Sequence, residues 1–166
     1  MVALAVTEST QVDKMLGSTT PFIPEKLAPT EHHGRIRLAF FDWANGLVAG
    51  DAGGVISILK LPAGKVRLLG NMSYIYHNMT TGGNTVEIGW LAYKDIDGTD
   101  VAADPNGLDT AISVEAAGTI SIGTVLVAEC AQKLFESQEG VMLTLTSVGI
   151  IAASDVLQGC IAYVLD

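Results

Sequence analysis

From Gly34 to Tyr93 the chain runs as short alternating apolar segments separated by glycine and aspartate turns, the pattern of consecutive strands in an antiparallel sheet protein. Ile36, Leu38 and Phe40 fall on one face of the first segment, and Arg35 and Arg37 take the other. That alternation predicts a half-buried strand with the isoleucine, leucine and phenylalanine inward. Val66, Leu68, Met72, Tyr74 and Tyr76 repeat the pattern, as do Val86, Ile88, Trp90 and Ala92. No cluster of nucleophile, base and acid and no phosphate-cradling glycine loop interrupts the run, so the chain reads as built to hold a surface rather than to turn over a substrate.

Strands are expected at about 34–43, 55–61, 65–77, 85–95, 111–115, 119–129, 139–147 and 156–165. Gly53-Gly54, Pro62-Ala63-Gly64 and Thr81-Gly82-Gly83-Asn84 supply the turn chemistry between the first four. Eight short strands at this spacing favour an all-β antiparallel β-sandwich, jelly-roll-like, because two half-buried sheets must cover each other's apolar faces; a closed barrel is the competing architecture. Leu134 and Phe135 follow Cys130 and Ala131 at helical spacing, which predicts a helix over Ala128 to Ser137 ended by Gly140. The stretch Asp95 to Asp109 is expected to be a long acidic loop at one end of the sandwich.

Residues 1–33 differ from the rest. Pro21, Pro24 and Pro29 break any sustained period there, and at most one helical turn fits between Thr10 and Met15. The chain thus divides into an extended N-terminal arm, 1–33, and a sandwich domain, 34–166. With Leu4, Val6, Met15, Leu16, Phe22, Ile23 and Leu27, the arm is too apolar for a solvated tail and is expected to lie against its own sheet or a neighbouring subunit. These seven residues, with Arg35 and Arg37, are the candidate contacts to a covering partner or a neighbouring subunit.

A length of 166 residues fits one domain with a proper core. Only 16% of residues are charged, low for a surface wholly in water, which points to a partner covering part of it. The formal net charge of −9 argues against nucleic acid or an anionic membrane as partner, since both select clustered Lys and Arg. Cys130 and Cys160 sit among apolar neighbours and read as small buried hydrophobes of a reducing compartment, with a disulfide between them the alternative that sequence leaves open. The N-terminus lacks the basic region of a secretory signal, so the sequons at Asn71 and Asn78 read as accidental. No run reaches membrane-spanning length.

Candidate chemistry is sparse. Asp95, Asp97, Asp100 and Asp104 are the calcium candidates, closely spaced carboxylates around Gly98, but the spacing fails the EF-hand pattern and ordinary turn use outweighs cation binding. His32, His33 and His77 are too scattered for a zinc site. No catalytic residue and no cofactor is nominated. Trp43, Trp90, Tyr74, Tyr76 and Tyr93 would suit a sugar-binding face, yet their place in alternating strands favours core packing. Arg35, Arg37, Lys65 and Arg67 form a small basic stripe if the first and third strands are neighbours.

The succession Gly34-Arg-Ile-Arg-Leu-Ala-Phe, Ala49-Gly-Asp51, Leu59-Lys-Leu-Pro-Ala-Gly64-Lys-Val-Arg67, Thr85-Val-Glu-Ile-Gly-Trp-Leu-Ala-Tyr93, an Asp-rich loop and Ala116-Ala-Gly118 resembles small β-sandwich virion structural proteins of tailed bacteriophages, over about residues 8–165. These are turn and strand signatures, with no catalytic fingerprint. The resemblance implies a non-enzymatic capsid decoration or cement protein, made in the bacterial host cytoplasm and carried on the capsid exterior. Its partners would be the major capsid protein and itself, as a homo-oligomer and typically a trimer, with the arm reaching over the shell or a neighbour. Competing readings are a tail, neck or fibre-base subunit and a carbohydrate-binding adsorption module, the latter favoured by exposed aromatics and disfavoured by buried ones.

Overall fold

The computed structural model describes residues 35–46, 49, 50, 52–123 and 130–166. The arm, its contact candidates from Leu4 to Leu27, the turn at Thr10 to Met15, His32 and His33 lie outside the described residues. The described elements are β1 (Arg37–Ala44), β2 (Val55–Leu61), β3 (Gly64–Leu68), a 3-10 turn (Gly70–Met72), β4 (Tyr74–His77), β5 (Thr85–Trp90), β6 (Tyr93–Lys94), β7 (Asp100–Val101), β8 (Asp104–Ser113), β9 (Gly118–Ser121), β10 (Lys133–Ser137), β11 (Val141–Ser147) and β12 (Val156–Leu165).

Two antiparallel sheets face each other. In the first, β12 is central: β1 pairs along one edge, and β3 and β4 follow one another along the opposite edge. Outside them lie β10 on β3 and β9 on β4. The second sheet has the order β2-β11-β5-β8. If β3 with β4 and β9 with β10 are each taken as one interrupted strand, the chain visits first, second, first, second, second, first, second, first sheet. That is the eight-strand jelly-roll path, and it accounts for the expected number of strand runs.

The core between the sheets is apolar and closed. Val66, Leu68, Ile75, Leu157 and Ile161 come from the first sheet, and Ile88, Val141, Leu143 and Leu145 from the second. Each side chain of this kind contributes about 1.5–3 kcal/mol when fully buried. At one end Trp90 and Phe135 meet edge to face, with ring centroids 5.3 Å apart. Lys133 places its ammonium 4.7 Å from the centroid of the Trp90 ring, a cation–π contact. Gly107 makes room for that indole: a Cβ there would overlap the Trp90 ring.

Four expectations change. The predicted helix over Ala128 to Ser137 is overturned over Lys133–Ser137, which is strand β10 paired with β3 from Lys133↔Leu68 to Ser137↔Gly64; sheet pairing outweighs a short stretch of helical spacing. The segment 65–77 is two strands. Five residues, 69–73, stand opposite two on β12 between the Leu68↔Tyr163 and Tyr74↔Cys160 pairs. The odd surplus reverses which parity faces inward. Ser73 fastens this turn, donating to the Leu69 carbonyl and accepting from the Ala162 N–H, both at 2.9 Å.

The acidic stretch after Asp95 is not one long loop. Asp95 to Thr99 form the turn of a β6–β7 hairpin, and β8 begins at Asp104. The fourth change concerns β1. Ala39, Phe41 and Trp43 turn toward the core, whereas Ile36, Leu38 and Phe40 are 50%, 55% and 71% exposed. Phe41 is paired with Gly159, and a Cβ on that glycine would come within 2.7 Å of the Phe41 ring. The glycine thus leaves the inward ring its seat.

Candidate functional site

The outward surface of the first sheet is built from strand register. One row across it reads Phe40, Cys160, Tyr74, Ser121; the next reads Asp42, Gln158, Tyr76, Thr119. Leu38 stands opposite Ala162 beside the first row. Tyr74 and Tyr76 are 46% and 44% exposed, because the surplus residues at the 3-10 turn give the inward positions of β4 to Ile75 and His77. Ile36, Leu38, Phe40, Tyr74 and Tyr76 therefore form an apolar and aromatic exterior on a strand layer whose other face is core. Contiguous exposure of this kind on a folded domain marks an interaction surface.

An open groove of about 520 Å³ runs along this face, lined by Phe40, Asp42, Tyr74, Tyr76 and Gln158, with Phe41 and Gly159 completing it. The central strand is low where the groove crosses it, with Gly159 and Cys160 between the larger side chains of β1 and β4. Burial raises the Cys160 thiol pKa, so the sulfur is a packing atom under the aromatics rather than a nucleophile. Cys130 is likewise buried and free, and desolvation together with the Asp109 carboxylate pushes its thiol up to about 11.

The aromatic residues divide. Trp90 is buried, Trp43 and Tyr93 pack partly against the core, and only Tyr74 and Tyr76 of the five candidates face out on the sheet. Core packing is thus the wrong expectation for those two tyrosines. The basic stripe is not assembled either. β12 separates β1 from β3, Lys65 pairs with Glu136 and Arg67 with Asp166, and Arg37 has the parity of Ala39 and Phe41 rather than of the outer face.

Of the calcium candidates, Asp95 and Asp100 serve the hairpin, Asp97 lies in its turn, and Asp104 opens β8 opposite Trp90. Asp95 accepts from the N–H of Ile96, and Asp100 pairs with Lys94 at 2.6 Å. Among the described residues no three His, Cys, Asp or Glu side chains converge to hold a metal ion. A second groove, of about 500 Å³, lies by this hairpin between Tyr93, Lys94, Asp100 and Glu139; its Lys94–Asp100 pair is already internally neutralised. His77 is 2% exposed, its Nδ1 has no hydrogen-bond partner among the described residues, and burial lowers its pKa against the raising effect of Asp155. Among the described residues no helix is long and apolar enough to cross a membrane.

Asp42 and Gln158 were not legible as site residues. β1 is apolar on both parities, so alternation alone does not say which set faces out. The pairing with β12 decides it.

No protein-family model and no curated protein matches the sequence. Solved structures do match in fold. A chain from the capsid of Ralstonia phage GP4 is 20% identical with a TM-score of 0.59, over 80% of this chain and 86% of that one. A chain of the cyanophage Pam1 capsid asymmetric unit is 16% identical with a TM-score of 0.52, over 90% of this chain and 97% of that one. The VP2 protein of infectious bursal disease virus, in a D431N mutant, is 12% identical with a TM-score of 0.51, and this chain spans 37% of its length. The chain therefore shares its β-sandwich fold with chains of viral capsids, two of them from phages and of nearly its own length.

Proposed function

We propose that this chain is a non-enzymatic structural protein of a phage virion, a decoration or cement protein that binds the outside of the major capsid shell and stabilises it. The observation that carries the reading is the exposed apolar face of the first sheet, Ile36, Leu38, Phe40, Tyr74 and Tyr76. It gives the domain a flat side with a strong reason to be covered and no catalytic constellation on it. The fold likeness to phage capsid chains of similar length supports the same reading, although a fold by itself does not assign a role. Stabilisation would come from modest contacts per subunit multiplied over the shell. The arm, with Leu4, Val6, Met15, Leu16, Phe22, Ile23 and Leu27, extends the contact to the shell or to a neighbouring copy in a trimer, and Arg35 and Arg37 at the start of the sandwich join it.

Quantitative mass spectrometry of purified particles tests the placement. Copy number near that of the major capsid protein supports a shell-wide role. A few copies per particle moves the chain to the neck or tail, and absence from particles overturns the virion reading. Deleting residues 1–33 is expected to abolish attachment while the sandwich stays folded; normal attachment of the truncated chain would remove the arm from the mechanism. The exposed Tyr74 and Tyr76 favour one second reading, adsorption to a glycan through the same groove.

A further inference from the structure

We infer that the groove between β1 and β4 is a socket for one cationic side chain, arginine above all, presented by the surface that the first sheet covers. The inference rests on the attachment reading above and names the chemistry of the partner at that site. Asp42 lies in the groove beside Phe40, Tyr74, Tyr76 and Gln158. The ion pairs among the described residues are Lys65–Glu136, Arg67–Asp166 and Lys94–Asp100, and Asp42 belongs to none of them. It is an exposed carboxylate set among aromatic rings, with no counter-ion among the described residues.

Three physical terms favour a cation there. The carboxylate supplies direct charge complementarity. Aromatic rings attract a cation through their quadrupoles, most strongly when the pair is shielded from water, as it becomes under a covering partner. The Gln158 side-chain carbonyl adds an acceptor for a guanidinium N–H. Geometry selects the planar ion. β1 and β4 are both neighbours of β12, so their backbones stand about 10 Å apart at ordinary strand spacing. Side chains rising from both leave a slot suited to one flat group, and a guanidinium stacks and bonds in plane where an ammonium does not. The formal charge of −9 steers a basic surface toward this domain at long range.

The test uses the full-length chain, isotope-labelled for NMR and titrated with N-acetyl-arginine methylamide, with the neutral isostere N-acetyl-citrulline methylamide, and with methyl β-glucoside. The arginine derivative is expected to shift the amides of Asp42, Tyr76 and Gln158 in the millimolar range, and citrulline to bind about tenfold more weakly. Asp42→Asn should lose about the same factor with the rest of its spectrum unchanged. Equal response to arginine and citrulline, no response, or a response to the glucoside alone would overturn the inference, the last assigning the groove to a glycan. Attachment to purified shells is then compared for the parent and Asp42→Asn over a range of salt. Weaker binding with a shallower salt dependence supports the socket. Identical attachment at every salt concentration sinks the socket and leaves the apolar face standing, whereas an arginine response without any shell binding sinks the attachment reading alone.

Discussion

The two sheets of this domain have similar inner faces and opposite outer ones. Inward, both present Leu, Ile and Val to a common core. Outward, the second sheet shows Ser57, Lys60, Thr146 and Glu87, with Val55 exposed at the start of β2, whereas the first shows Leu38, Phe40, Tyr74 and Tyr76, with Cys160 and Ala162 low on its central strand. Antiparallel sheets with one face in water ordinarily alternate apolar and polar residues. The second sheet follows that rule except at Val55 on its edge strand, and the first departs from it across both β1 and β4, which is why docking is proposed for the first. The difference also separates two roles that hydrophobicity alone confuses. Apolar residues facing in stabilise the fold; those facing out cost the free domain little to lose and are open to a partner.

Phe135→Ala should be the most damaging single change, costing about 3–5 kcal/mol in a denaturant titration, because Phe135 packs edge to face against both Trp90 and Tyr93. Leu38→Asp with Phe40→Asp should weaken shell attachment by about a hundredfold, roughly 2.7 kcal/mol, while shifting the unfolding midpoint little. A large loss of stability instead would place these residues in the core and erase the contrast between faces. Thiol chemistry probes depth from another direction. With its pKa near 11, Cys130 should alkylate in the native protein at pH 8 about a hundredfold more slowly than a free cysteine, and rapid reaction would show the sheets to be open around it.

His77 tests the inner side of the same strand that carries Tyr74 and Tyr76. Its folded pKa lies below the ordinary 6.5, so the folded state prefers the neutral ring and the unfolded chain takes up the proton first as pH falls. Stability should be full above about pH 6.5 and decline below it, with His77→Gln showing the shallower dependence in thermal melts at pH 7.5 and 5.5. Smallest of all should be Ser57→Asp, at an exposed outward position of the second sheet, where attachment is expected to equal that of the parent. Lost attachment there would mean that the polar face also meets the shell.

Much of the strand order was readable along the chain. β2, β11 and β12 lie where alternation and turn glycines put them, and Val86, Ile88 and Trp90 face inward as their spacing indicates. Most of β8 was missed, only 111–113 of it being expected, since Asp104-Pro-Asn-Gly carries a turn composition and forms strand only because β5 pairs with it, through a bulged register. β10 was taken for helix because a five-residue strand beside Cys130 and Ala131 offers too little alternation to outvote helical spacing. The exposed apolar face was read inside out at β1 and missed at β4.

Those two errors have one origin. Local spacing establishes that a segment is extended and divides its residues into two sets, because successive side chains of a strand point opposite ways. Which set is buried is a relation to another layer, decided by register and by insertions that no local pattern reports. In β1 the deciding contact is Phe41 over Gly159, from segments more than a hundred residues apart. In β4 it is the odd surplus of residues at Gly70–Met72 opposite β12. Alternation and turn chemistry therefore carry the sandwich in the linear chain, while the identity of its sticky side exists only once the strands are paired.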